Sequence, residues 1–300
     1  MSGEKAGLHA RNRFRLGYDF AELVRVSPAL SPFVRVNEHG GTSIDFADAG
    51  AVKALNQALL RLAYGLQTWD LPPGRLCPPV PGRADYVHHL ADLLGGGDEA
   101  LIPRGKKVRV LDIGTGANAI YPLLGACEYG WQFVGTDIDA TALRWARQLV
   151  EANAAVSGLI QFRQQASPAA CFEGVIWGGE SFAASVCNPP FHASAEQAAA
   201  GTGRKLRGLG RGWAAETRNF GGQANELWCE GGELGFIRRM ITQSERVAER
   251  CRWFTTLVSQ SAHLPALRAA LKQVPVTEVR VIEMAQGQKK SRVLAWTFQD

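Results

Sequence analysis

Val108-Arg109-Val110-Leu111-Asp112-Ile113-Gly114-Thr115-Gly116-Ala117 is the stretch that decides the fold of this chain. A short apolar run ends in an acid and opens onto two glycines, which reads as a strand, a tight turn and the start of a helix. Gly114-Thr115-Gly116-Ala117-Asn118-Ala119 fits G-x-G-x-x-A, and Asp137 follows about twenty residues on, as a dinucleotide-binding fingerprint requires. The acid at Asp112 argues for a different ligand, because a carboxylate is unhelpful beside a pyrophosphate but compatible with a cationic sulfonium amino acid. S-adenosylmethionine is therefore the expected ligand. Gly114 and Gly116 let the backbone approach its methionine portion, and Asp137 accepts from the ribose hydroxyls. For two glycines alone, a strand-to-helix turn with no ligand is the plain alternative.

Asn188-Pro189-Pro190-Phe191, at the end of a later strand, shifts the balance. A planar amino group is a poor nucleophile, since its lone pair is delocalised into the neighbouring π-system. The Asn188 side-chain oxygen and a carbonyl of the proline pair can each accept one of its N–H groups. Neither proline has an N–H and both have φ fixed, so the carbonyl is held rigidly outward. Phe191 offers a flat face for stacking, worth about 1–3 kcal/mol per base in nucleic-acid proteins. This chemistry needs no metal.

Working outward, strands are expected near residues 108–112, 131–137, 158–163, 182–187, 253–258, 277–284 and 291–298. Helical patterns occupy 84–94, 117–127, 139–155, 224–250 and 262–273. The alternation predicts an α/β fold with a mostly parallel, doubly wound sheet, and the last two strands form an antiparallel hairpin. Residues 1–81 have their own character: Arg11, Arg13, Arg15 and Arg25 surround Phe14 and Tyr18, a helical pattern runs through Val52, Leu55, Leu59 and Leu62, and a proline-rich stretch closes the segment. A small N-terminal module (1–81) and a catalytic domain (82–300) are expected.

Three hundred residues, 46% of them hydrophobic, suffice for one large core plus a smaller module. The polar start and the lack of a long apolar stretch predict a cytoplasmic protein with no membrane partner. Six cysteines without a C-x-x-C pair suggest neither a zinc knuckle nor a disulfide framework. Net charge of +5 permits an anionic partner without requiring one. The segment 192–223 is glycine-rich and carries Arg204, Lys205, Arg207, Arg211 and Arg218. It leaves directly from the acceptor motif, where cations would meet backbone phosphates, although a solvated insertion is the commoner meaning of such a run. His88 and His89 read as packing or capping groups, and Trp228 to Glu233 as a helix and its break, with a substrate role left open.

Asn12-Arg13-Phe14, Ser43-Ile44-Asp45-Phe46, Pro81-Gly82-Arg83-Ala84-Asp85-Tyr86, Asp112 to Ala117, Asn188 to His192, and Gln286-Gly287 through Leu294-Ala295-Trp296 together resemble the bacterial ribosomal RNA large-subunit methyltransferase F family. The resemblance covers nearly the whole chain, and eukaryotic methyltransferase-like enzymes acting on U6 small nuclear RNA share the plan. Ala10 stands where the family's opening His-Pro-Arg-Asn has proline. The resemblance implies a Rossmann-like class I S-adenosylmethionine-dependent methyltransferase acting on adenine N6 in 23S rRNA or a large-subunit assembly intermediate, as a monomer that releases S-adenosylhomocysteine. It implies that Arg83 contacts the methionine carboxylate, alongside Asp112, Gly114, Gly116 and Asp137. It also implies that the N-terminal module, through Arg11, Arg13, Phe14 and Arg15, grips RNA together with Arg204, Lys205, Arg207 and Arg211. Two other classes stay open: a protein glutamine-N5 methyltransferase of the same fold, since release-factor methyltransferases use a similar motif on an amide, and a noncatalytic RNA-binding protein.

Overall fold

The first wall of the sheet is set by the opening stretch itself, since Arg109–Ile113 forms β3, a buried central strand. A computed structural model describes residues 7–37, 40–192, 228–286 and 289–300. Around β3 lie β4 (Gln132–Asp137), β5 (Ile160–Gln164), β6 (Phe182–Cys187), β7 (Cys251–Val258), β8 (Glu278–Gln286) and β9 (Lys289–Thr297), in the order β5-β4-β3-β6-β7-β9-β8. The five strands from β5 to β7 run parallel, and β9 is antiparallel to both neighbours. All seven expected strands of the sheet form, within two or three residues of their expected ends. A two-stranded ribbon, β1 (Arg35–Val36) with β2 (Thr42–Ser43), was not foreseen.

Alternate residues of the strands feed two cores, as a pleated strand buried on both faces requires. Val110, Ala184 and Val186 join the side covered by α3 (Val80–Leu94), α4 (Ile120–Tyr129) and α5 (Ala140–Glu151). Leu111, Ile113, Phe182 and Cys187 join the side covered by α6 (Gly232–Ser244) and α7 (Leu264–Leu271). α5 starts where it does because the Asp139 carboxylate caps the N–H groups of Thr141 and Ala142.

The N-terminal segment carries α1 (Phe20–Val26) and α2 (Ala49–Tyr64). Its Phe14, Leu23, Leu30, Leu55, Leu59 and Trp69 belong to the same core cluster as the sheet residues Val110 and Phe133. Helix α3 starts at Val80, four residues earlier than expected, and Pro81 sits in its first turn, where a missing N–H costs nothing. The helix expected over 224–250 is shorter. Trp228 instead forms a parallel bridge with His192, Gly231 turns at φ 75°, and α6 begins at Gly232. Residues 193–227 lie outside the described residues, as do Arg204, Lys205, Arg207 and Arg211.

Candidate active site

Register builds the site. Ile113 pairs with Thr136 on one side and with Cys187 on the other, so the residues that follow, Gly114, Asp137 and Asn188, leave neighbouring strand ends at one edge of the sheet. The strand order reverses at β3, and a crevice at such a switch point is where open α/β sheets hold ligands. A cavity of about 630 Å³ occupies it, lined among others by Gly114, Gly116, Thr136, Asp137, Ile138, Gln165, Asn188 and Pro190. Five of the residues expected to serve donor and acceptor thus face one space.

Gly114 and Gly116 both have positive φ, 74° and 63°, a region side chains avoid. A Cβ on Gly114 would have nothing within 4 Å and would project into open space at the cavity. The loop is pinned from β4: the Gly114 and Thr115 N–H groups both donate to the Thr136 carbonyl, and the Gly116 N–H donates to Asp137 Oδ2 at 2.9 Å. Asp137 Oδ1 accepts from the Asp139 N–H, also at 2.9 Å. Burial raises the Asp137 pKa, and these two backbone donors pull it back. Each oxygen keeps a lone pair for a further donor.

Asp112 sits behind this wall. It is 1% exposed and neither carboxylate oxygen has a hydrogen-bond partner. Burial pushes its pKa up to about 7; the Thr115 hydroxyl, close by but outside hydrogen-bond geometry, and the Arg83 charge oppose the rise, and Asp137 adds to it. It is not among the residues lining the cavity.

The acceptor motif is held from α3. Tyr86 Oη accepts from the Cys187 N–H at 3.4 Å and bonds to Thr255 Oγ1 at 2.7 Å, fixing the strand end that carries Asn188. Arg83, one turn earlier, uses a single nitrogen, Nη1, to donate to Tyr121 Oη at 2.7 Å and to Asn188 Oδ1 at 3.1 Å. A guanidinium has only donors, so the amide atom facing it is the oxygen. Arg83 Nε is buried without a partner. Pro189 is buried and Phe191 half-buried. The His192–Trp228 bridge and the Cys229 N–H to His192 carbonyl bond close the base of the segment between them.

The N-terminal arm departs from expectation. Phe14 is 4% exposed, in the core, and so presents no face to RNA. Arg11 donates to Asp92, Tyr129 Oη and the His88 carbonyl, and Arg13 to Glu128 and the Ala63 carbonyl. Their charges meet carboxylates of the protein; the fold needs them there to tie the arm to α3 and α4. Arg15 has interactions of its own. His88 is fully buried, its ring bonded to Tyr129 Oη, and burial pushes it down to about 3 and His89 to about 4. Ligand atoms of His9, His89 and Asp92 lie within 4.8 Å of one another. His9 Nδ1 accepts from the Arg11 N–H, so in the neutral ring Nε2 carries the proton and donates to Asp92, leaving no lone pair for a metal.

Sequence reading did not single out Ile138, Gln165, Tyr121, Phe236 or Arg239. Ile138 was accessible as the neighbour of Asp137; Arg239 comes from α6, too far along the chain for any local pattern. The segment before α3 was also underrated: Leu76 lines the cavity, Trp69 donates to the Asn118 carbonyl, and Arg75 pairs with Asp139.

Comparison with known proteins agrees with this geometry. The model of a family described as RNA methyltransferase matches residues 2–300. Ribosomal RNA large subunit methyltransferase F of Methylobacillus flagellatus is 55% identical over 100% of this chain and 94% of its own. That of Serratia proteamaculans is 52% identical over 99% and 89%. The human METTL16 catalytic domain in complex with MAT2A 3′UTR hairpin 1 superposes with a TM-score of 0.82 at 34% identity, covering 98% of this chain and 96% of that one. The METTL16 N-terminal domain in complex with SAH gives 0.77 at 32%, covering 98% and 99%.

Proposed function

The chain belongs to this RNA methyltransferase family, and from that premise we propose that it transfers a methyl group from S-adenosylmethionine to N6 of an adenine in 23S ribosomal RNA. The observation that carries the reading is the convergence of Gly114, Gly116 and Asp137 with Asn188 and Pro190 on one cavity. The residues suit the cofactor: Gly114 leaves room for it, Asp137 retains acceptor capacity for a diol, and Arg83 has no carboxylate partner among the described residues. When bound, S-adenosylmethionine supplies an electrophilic methyl on a sulfonium. The protein positions the acceptor. Asn188 Oδ1 and a carbonyl of the proline pair accept the two amine hydrogens, Phe191 stacks on the base, and the target is taken out of its helix to reach them. Placing two reactants in near-attack geometry lowers the barrier by about 7–11 kcal/mol. The amine proton is released to water after transfer.

RNA contact falls to Arg204, Lys205, Arg207 and Arg211, with the arm around Arg11, Arg13, Phe14 and Arg15 acting as the frame of a module spanning 1–81. The enzyme works as a cytoplasmic monomer. Mapping N6-methyladenine in rRNA from cells with and without the protein tests the reading. One 23S adenine should lose its methyl group in the deletion and regain it on complementation. Unchanged rRNA together with a missing methylglutamine in a release factor would overturn it in favour of an amide acceptor.

A further inference from the structure

Arg83 combines two properties that do not belong to a static frame. Its guanidinium is half-buried with no carboxylate partner among the described residues, Asp112 being near enough to feel its charge without pairing with it. It also occupies Asn188 Oδ1, the atom that must accept an N–H of the target amine. The second property works against the reaction. The amine nitrogen gains positive charge as it is methylated, and a cation bonded to the oxygen that draws on its hydrogens opposes that charge. Something must neutralise or move the guanidinium. Arg83 does not itself line the cavity but bonds Asn188, which does; the charge missing there is an anion, and the amino-acid end of S-adenosylmethionine carries a carboxylate.

We infer that Arg83 is a positioning residue coupling the two halves of the site: its guanidinium donates to Asn188 Oδ1, and the cofactor carboxylate competes for it, freeing that oxygen for the adenine amine. The inference rests on the proposed function above. Tyr121 is the pivot, since its hydroxyl accepts from the same Nη1 at 2.7 Å while its ring lies 5.6 Å below the guanidinium carbon. Tyr121 is 4% exposed and packs edge-on against Tyr86, so it stays fixed while the guanidinium swings between a neutral acceptor and an anionic one. A charge-assisted bond to a carboxylate is roughly twice as strong as one to a neutral acceptor, which sets the direction of the exchange. The consequence is ordered assembly, cofactor before base.

The coupling is reciprocal and measurable without turnover. Affinity of the full-length protein for an rRNA fragment bearing the target adenine would be measured alone, with saturating S-adenosylhomocysteine, and with saturating methylthioadenosine, which keeps the nucleoside and lacks the amino-acid end. S-adenosylhomocysteine should tighten RNA binding about fivefold or more, the lower end of ordinary coupling, and methylthioadenosine should not. The Asn188 side-chain amide resonance should shift with the first ligand only. Arg83→Met should abolish the difference, and Arg83→Lys, which keeps the charge, should retain part of it. Equal effects of the two ligands on the wild type, or undiminished coupling in Arg83→Met, overturn the inference. Failure of S-adenosylhomocysteine to bind at all would instead sink the cofactor assignment.

Discussion

Arg11, on the N-terminal arm, and Arg83, on α3, both bond a tyrosine of α4, the helix after the glycine loop, yet they meet opposite surroundings. Arg11 finds Asp92, Tyr129 Oη and a backbone carbonyl, so its charge is spent on joining the arm to the body. Among the described residues, Arg83 donates only to a hydroxyl and an amide oxygen. A cation with its counter-ion inside the protein is part of the frame, whereas one left among neutral groups beside a cavity is kept for a ligand. The contrast separates arginines that a count of charges would pool.

The largest expected effect lies on the ligand-facing side. Asn188→Ala should lower the rate of methyl transfer to an rRNA transcript by about 10²–10³-fold, the scale of losing one preorganised hydrogen-bonding group, with cofactor affinity kept or tightened, since Arg83 then has no amide oxygen to leave. An undiminished rate would mean that Arg83 faces an amide of no chemical consequence.

Asp112 sharpens the comparison as the anion left without a partner. Its pKa of about 7 in the folded protein lies above the usual carboxylate value, so the protonated form favours folding. Its contribution is full below about pH 4 and is lost as pH rises to about 7. Wild-type stability should fall relative to Asp112→Asn across that window, on the order of a few kcal/mol, and run parallel above it. Denaturant melts at several pH values check this. Parallel curves throughout would place Asp112 in contact with water or a donor.

A third expectation compares the two arginines directly. Arg11→Met should cost about 1.5–3 kcal/mol of stability, since its bonds involve a charged partner and Asp92 is left with the His9 ring as its remaining side-chain donor. Arg83→Met should cost about 1 kcal/mol or less, mainly for the Tyr121 hydroxyl. Thermal melts would show the order, and its reversal would remove the distinction between frame and ligand site. The smallest effect concerns RNA. Neutralising Arg204, Lys205, Arg207 and Arg211 should flatten the log–log salt dependence of binding by about 0.7 for each phosphate that no longer meets a cation, while charge removal at Arg13 should leave the slope as it was.

The same physics explains what a reader of the sequence sees. Strand periods, two glycines before a helix and a proline-locked acceptor motif are local signatures, because φ/ψ preference and alternation act over a few residues. They sufficed for the α/β class and the seven-stranded sheet with its closing hairpin, and they singled out Gly114, Gly116, Asp137, Asn188 and Pro190, which line one cavity. That Phe14 is buried and Arg11 ion-paired was not legible, because an exposed arginine–aromatic cluster and a buried one have the same composition. Burial depends on what lies opposite, here Asp92 and Tyr129 from α3 and α4.

By itself, the sequence determined which segments form strands and which residues offer groups suited to a methyl donor and an amine acceptor, since both follow from backbone sterics and functional groups within a short window. Only the tertiary structure decided which charges are neutralised. It set Arg11 against Asp92, left Arg83 on the neutral oxygen of Asn188 and sealed Asp112 from water. Each of those outcomes is a sum over groups far apart in the chain: the arm packed on α3 brings Arg11 to Asp92, and α3 packed beside the end of β6 brings Arg83 to Asn188.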